Sequence, residues 1–462
     1  MSTTSIKMNR RSIACLFFAA IVTAIVLISC QKGGTPILQE ESTAIAQKGK
    51  PTIYSSDVLD KWMTMQLRLM RNATGIPNHG FSRPFAYSGI AAFEALKPGM
   101  SQQTAQWSDK WNGLTGLPGN LPAKRFYLPA NVNAALADIN KAMFSNATAA
   151  DKAAIDSLEL TLKNEFLTSQ SAEVIASSIQ YGQEVASLVF NWSESDGYKD
   201  ANAPYTIPTG EGKWKPTPPA FANPATPYWG DNRTIIKGST NNAAPGYPGN
   251  DSTDPGSDFY KMAKEVFDSS IDMSDDHRAM ANFWKDVPGV SSPGHWLSIL
   301  HQVIKQNNIS LEKAALAYAL VGAACNDALI VCFSGKYYYN IMRPITYIRE
   351  VIGQTTWNSL LTTPAHPEYS SAHSSLSAAS AAVLQNLFGN VESFTDHTYD
   401  YLNYAPRTYA SYFDIAAEAG LSRFYAGIHY KRSIQIGFLQ GEKVAANIFS
   451  KYTEPAGRYN FK

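Results

Sequence analysis

Cysteine is scarce, with four in 462 residues. Cys15 and Cys30 fall in an N-terminal apolar segment. Cys325 and Cys332 are seven apart on an expected helix, roughly 10 Å along its axis and too far for a disulfide. Both are read as packing residues. Net charge is equally small, +1 from 39 Lys and Arg against 38 Asp and Glu. That excludes a field able to gather nucleic acid, so any anion must be held by a local cluster. His366, His397 and Asp396 could ligate a metal in principle, but no HExxH or CxxC spacing supports a divalent-metal centre. Tandem repeats and strand-rich stretches are also missing. What remains is a chain 45% hydrophobic and 17% charged, which is globular and long enough to bury a sizeable core.

Lys7, Arg10 and Arg11 precede an apolar run from Ile13 to Ile28, the layout of a secretory signal. The run ends in Leu27, Ser29 and Cys30, which resembles a bacterial lipobox in which Cys30 receives lipid. An uncut signal anchor is the alternative, although the run is short for a span of about 20 residues. Residues 1–30 are thus expected to be a lipoprotein signal peptide and 31–53 a tether. The implied location is the bacterial cell envelope. The chain would be lipid-anchored there, at the outer membrane facing the periplasm, because the "QKGG" after Cys30 lacks an acidic run.

From about Ser55 the pattern is helical. "SSDVLDKWMTMQLRLM" opens with cap-type residues and sets Val58, Trp62, Met65 and Leu69 on one face. Similar signals recur near Arg83–Leu96, Val132–Phe144, Ala149–Phe166 and Ala172–Phe190, so 54–195 reads as antiparallel helices. Residues 196–257 hold ten prolines, together with Trp214, Phe221, Tyr228 and Trp229. Such aromatic mass predicts an ordered excursion over the surface rather than a linker. Helical periods resume over 258–452, where "SLEKAALAYALVGAACNDALIVCF" is apolar on most sides and predicts a central helix. The fold class is all-α, built as helical bundles with a long Pro-rich ordered loop. The large helical faces of the N-terminal half could also support a homodimer.

Three stretches carry chemistry. "KYYYNIMRP" supplies Lys336 and Arg343. "YSSAHSSLSAAS" supplies Ser371 and His373 at a helix start, where free N–H groups favour an anion. "SRFYAGIH" supplies Arg423 and His429. Guanidinium forks, an ammonium and neutral donors together suit a phosphate-like ion. The two histidines then divide: one bonds to the central atom, and the other moves a proton at an apical oxygen. Singly, each stretch has an ordinary reading as a solvated cation, a packed histidine or a helix cap.

Together they resemble the vanadium-dependent haloperoxidases and the type-2 phosphatidic acid phosphatases that share their site. That family's pattern is K-x6-RP, then PSGH, then SR-x5-H. Here Lys336, Arg343 and Pro344 match the first motif, and Ser422, Arg423 and His429 match the last. The middle motif reads Ser370-Ser371-Ala372-His373. The resemblance implies that Lys336, Arg343 and Arg423 neutralise the oxyanion, while Ser371 and the Ala372 amide donate to it. It makes His429 the vanadate ligand, or the phosphohistidine nucleophile in a phosphatase. His373 becomes the acid–base residue, and Lys336 polarises the bound oxidant.

Two departures stand out. Ser433 occupies the position, four after His429, where many relatives carry an aspartate that steadies the imidazole. Phe333 and Met342 stand where relatives often have tryptophans. His295 could line the pocket or act structurally. Asp327 or Asp286 could orient a site residue in place of the missing aspartate, and Tyr337, Tyr338 and Tyr339 could shape a mouth. The expected function is oxidation of halide by hydrogen peroxide at vanadate. The alternatives are phosphate ester hydrolysis through a phosphohistidine, with no metal, and a non-catalytic helical ligand-binding lipoprotein.

Overall fold

Serine and threonine side chains start many of the helices. Ser101, Thr148, Ser171, Ser257, Ser274, Ser371 and Ser411 each accept the backbone N–H of the residue three further on. The computed structural model describes residues 53–119, 121–249 and 252–450. The signal, lipidation and most of the tether assignments lie outside them.

The described helices of the first half are α1 (Asp57–Asn72), α2 (Ser82–Ala95), α3 (Gln102–Ala105), α4 (Leu128–Met143), α5 (Ala149–Leu167) and α6 (Ala172–Ser193). The second half holds α7 (Asp258–Ile271), α8 (Asp275–Phe283), α9 (Ser291–Gln306), α10 (Leu311–Tyr339) and α11 (Pro344–Glu350). After these come α12 (Ala372–Phe388), α13 (Tyr412–Tyr425) and α14 (Lys431–Ser450). The all-α class expected from periodicity holds, with one addition. Strands β1 (Phe394–Asp396) and β2 (Arg407–Tyr409) pair antiparallel, with Thr395 opposite Thr408. Three residues are too few to show an alternating pattern in sequence.

Helix α10 is the centre. It is long and apolar enough to cross a membrane, yet that apolar stretch is wholly buried inside the protein. Cys325 and Cys332 are buried in it as free thiols. Close approach explains its small residues: a Cβ at Gly322 would sit 2.7 Å from the Ala86 Cα, and one at Gly89 2.6 Å from the Tyr318 carbonyl. The α12–α14 pair is equally tight, since a Cβ at Gly437 would lie 2.6 Å from the Ser371 carbonyl oxygen. Asn340 ends α10 in the left-handed conformation, and Pro344 then opens α11 rather than merely ending a turn.

Of the aromatic residues of the Pro-rich excursion, Phe221 is exposed and Tyr228 half-buried. Trp214 and Trp229 are buried. Asp327 on α10 accepts the Ile235 and Ile236 amides at 2.7 and 3.0 Å and the Ser239 hydroxyl at 2.6 Å. Asp327 therefore clamps the excursion to the central helix and orients none of the site histidines or arginines. Tyr337 and Tyr339 do similar work, donating to the Ala225 and Pro245 carbonyls, while Tyr338 is exposed. Further on, Met342 N–H donates to Gly212, Trp214 N–H to Asn340, and Ala225 N–H to Ala365. These bonds tie the excursion to the loops before α11 and before α12.

Candidate functional site

A cavity of about 680 Å³ opens where the excursion meets the second helical bundle. Ala372, His373, Arg423 and His429 line it, with Phe333, Leu329, Leu361 and Ile428 as apolar wall. The last turn of α10 brings Lys336, the N-terminus of α11 brings Arg343, and the N-terminus of α12 brings Ser371 to His373. The C-terminal end of α13 and the turn after it bring Arg423 and His429.

Lys336, Arg343 and Ser371 stand behind the cavity wall. The Lys336 ammonium, fully buried, donates to the Pro367, Glu368 and Ser370 carbonyls at 3.1, 2.9 and 2.5 Å. Burial pushes it down to about 8. Arg343 is also fully buried; it donates from Nε to the His366 carbonyl and from Nη1 to the Ile428 carbonyl. Its other contacts are to imidazoles, with Nη1 3.1 Å from His429 Nε2 and Nη2 3.0 Å from His366 Nδ1. The Ser371 hydroxyl caps α12 by accepting the Ser374 amide.

Arg423 donates from Nη1 to the Trp284 carbonyl at 3.0 Å. Its Nε, also buried, has no hydrogen-bond partner among the described residues. A buried guanidinium N–H without a partner is costly unless a ligand accepts from it. Three cations thus converge here, and two carboxylates, the buried Glu368 and the partly buried Asp286, offset part of their charge. The remaining single positive charge, the orphaned N–H and the α12 amides fit an oxyanion. A vanadate or phosphate group matches that donor set.

The two histidines are held differently. His429 Nδ1 lies 2.7 Å from Glu368 Oε1, which also accepts the Tyr430 amide at 3.1 Å. Glu368 Oε2 accepts the Ser433 hydroxyl at 2.5 Å. Burial, then Arg343 and Lys336, hold His429 well below its ordinary range, so the ring is neutral. His373 Nε2 meets the Ser292 hydroxyl at 2.7 Å and the Trp284 carbonyl at 3.1 Å. A carbonyl only accepts, so Nε2 carries the proton and Nδ1 is the basic nitrogen. Ser292 donates in turn to Asp286 at 2.9 Å, and the Ser292 amide reaches the same oxygen. Burial and Arg423 push His373 down to about 3, with Asp286 pulling it back.

Several of these groups were missed in the sequence. Glu368 sits just before a recognised motif but belongs to no part of it. Ser292 and Trp284 are remote in sequence and carry no motif. His79, which lines the cavity, donates or accepts at Thr226 and packs on Phe333 and Trp229. Asp286, weighed as an orienting residue, does reach His373 through Ser292. His295 is buried against Asp396 at 2.6 Å and stacks on Trp284 with ring centroids 4.1 Å apart. It stands one residue behind the cavity and off its wall. His366 contacts Arg343, while His397 pairs with Asp400 on the surface. With Asp396 taken by His295, the three potential metal ligands are engaged separately.

The architecture is all-α, with buried cations and two histidines gathered around one cavity. Residues 316–457 match the family model for the VCPO second helical-bundle domain. The crystal structure of the first bacterial vanadium-dependent iodoperoxidase superposes with a TM-score of 0.77 at 28% identity, covering 88% of this chain and 98% of its own. A holo-type bacterial vanadium-dependent chloroperoxidase has a TM-score of 0.61 at 17% identity, covering 81% of this chain and 92% of its own. The apo-type bacterial chloroperoxidase gives 0.60 at 17%, covering 81% and 95%; at that identity the likeness is one of fold. No curated protein sequence matches. Over residues 316–457 the chain is thus similar to the VCPO second helical-bundle domain, and over most of its length to the fold of the solved iodoperoxidase.

Proposed function

We propose that this chain is a haloperoxidase that oxidises halide with hydrogen peroxide, using vanadate held at His429. The observation that carries the reading is the pairing of a neutral His429, its Nε2 available as a base, with three buried cations around one cavity. Bound vanadate would supply Lewis-acid activation of peroxide without a change of metal oxidation state.

The residues of the chain do the rest. Lys336, Arg343 and Arg423 neutralise the oxyanion, and fixed positive charge in a buried site is worth more than in water. The Ala372 amide and the Ser371 hydroxyl supply neutral donors at the start of α12. Arg343 would move from His429 Nε2 to an anion oxygen as the ligand enters. His373 holds or releases a proton at Nδ1, and negative charge in the cavity raises its affinity for that proton. Ser292 and Asp286 stabilise the ring when it is charged. Phe333, Leu329, Leu361 and Ile428 limit water around the reacting atoms. Lipidation at Cys30 would hold the enzyme on an envelope membrane, facing the periplasm, and a homodimer through the N-terminal helices is compatible with the reading.

The test is halogenation of a chemical trap by peroxide with bromide or iodide, in phosphate-free buffer, with and without orthovanadate. Activity that appears only with vanadate and disappears in His429→Ala is the expected result. Absence of halogenation with every halide, together with phosphate release from an aryl phosphate, would replace the reading with the phosphatase. Neither activity, with anion affinity unchanged in His429→Ala, would leave the ligand-binding lipoprotein.

A further inference from the structure

The sequence leaves His429 without the aspartate that many relatives place four residues later, since Ser433 stands there. We infer that Glu368 is the positioning residue for His429, and that Ser433 serves it by holding the glutamate rather than the histidine. The inference rests on the reading of His429 Nε2 as the atom that meets the anion.

The carboxylate is fixed from three sides. Oε1 accepts from His429 Nδ1 and from the Tyr430 amide, and Oε2 accepts from Ser433 Oγ. Glu368, Ser433 and His429 are buried, with 0%, 2% and 4% exposure, so water does not compete for these bonds. The Glu368 backbone is anchored as well: its N–H donates to Ile341 and its carbonyl accepts from Lys336. One residue thus ties the lysine motif and the last histidine to the loop before α12.

The tautomer follows from two independent contacts. A guanidinium only donates, so the Arg343 Nη1 contact at 3.1 Å requires Nε2 to be the unprotonated nitrogen. A carboxylate accepts, so the Glu368 contact places the proton on Nδ1. Both constraints expose the Nε2 lone pair to an incoming anion's central atom. Ser433 Oγ, 2.5 Å from Glu368 Oε2, shows that the carboxylate sits where a side chain at 433 points. The glutamate reaches that place from the loop before α12.

The experiment uses the full chain with ¹⁵N-labelled histidine, with His429→Ala to assign the ring signals. The tautomer is read without any anion, and orthovanadate affinity is then measured by titration followed by ⁵¹V NMR. In the wild type, the His429 proton should be on Nδ1. Glu368→Leu, similar in volume but without an acceptor, strands the Nδ1 proton and leaves Arg343 alone to favour this tautomer, so the Nε2–H form should become populated and orthovanadate binding weaken about 10- to 100-fold, the usual cost of removing a partner behind a ligand. Glu368→Gln keeps an acceptor oxygen, so it should keep the Nδ1–H form and recover most of the affinity.

A proton found on Nε2 in the wild type overturns the inference with no variant needed. So does a Glu368→Leu protein that keeps both the tautomer and an affinity within about twofold. Because the tautomer is read without vanadate, a chain that shows the Glu368 dependence but does not halogenate refutes the haloperoxidase reading alone.

Discussion

His429 and His373 line one cavity, yet each is supported in its own way. His429 bonds directly to a carboxylate that is itself held by two other donors. His373 has its carboxylate 3.8 Å away, bridged by the Ser292 hydroxyl, and shares a carbonyl with Arg423. A direct clamp fixes a ring and its tautomer, which suits a residue that must present one lone pair. On His373 the Ser292 hydroxyl accepts from Nε2–H and donates to Asp286, which leaves Nδ1 free of protein partners, as suits a residue that must gain and lose a proton there. The difference supports the proposed bond-forming role of His429 and the proposed proton-moving role of His373, alongside the motif.

The comparison can be sharpened at His373. Its replacement by alanine should lower turnover by about 10²- to 10⁴-fold, the usual range for a lost general acid or base. Orthovanadate affinity should change far less, and steady-state kinetics beside a binding titration separate the two effects.

Lys336 tests the anion side. Burial lowers its folded value to about 8, so the ammonium is charged below that pH and neutral above it. Affinity for sulfate, whose charge is constant in this range, should be full below pH 8. It should then fall by up to about tenfold per unit above it. Lys336→Gln should bind more weakly below pH 8, with a flat profile that the wild type approaches as the pH rises above it.

Packing beneath the site gives a smaller effect. Gly441 on α14 faces the Ser375 carbonyl, and an added Cβ would collide with it. Gly441→Ala should cost about 1–3 kcal/mol of stability by overpacking, read as a lower denaturant midpoint. Least of all, Ser292→Ala removes one neutral link in the relay, worth about 1 kcal/mol. Turnover should fall about fivefold, with anion affinity unaffected.

Much of this site was legible because its signals are local. Lys336 and Arg343 sit at a helix end and just beyond it, Ser371 and His373 share a helix start, and Arg423 and His429 flank one turn. Such spacing survives in the chain itself. The supports were illegible because folding brings them in from far away: Ser292 meets His373 across 81 positions, and Glu368 meets His429 across 61. The missing aspartate was visible as Ser433, but its replacement came from a different loop. Asp327 shows the reverse error, an acid near the motifs in sequence that is spent on holding the excursion. His295 was undecided for the same reason: only the structure shows Asp396 and Trp284 on either side of it.

The measurement that bears most directly on the division of labour is orthovanadate affinity for the wild type, His429→Ala and His373→Ala, in one phosphate-free buffer. The account predicts that His429→Ala abolishes measurable binding, while His373→Ala binds within about tenfold of the wild type yet has lost its turnover. Equal losses of affinity in the two variants, or retained affinity in His429→Ala, would contradict it.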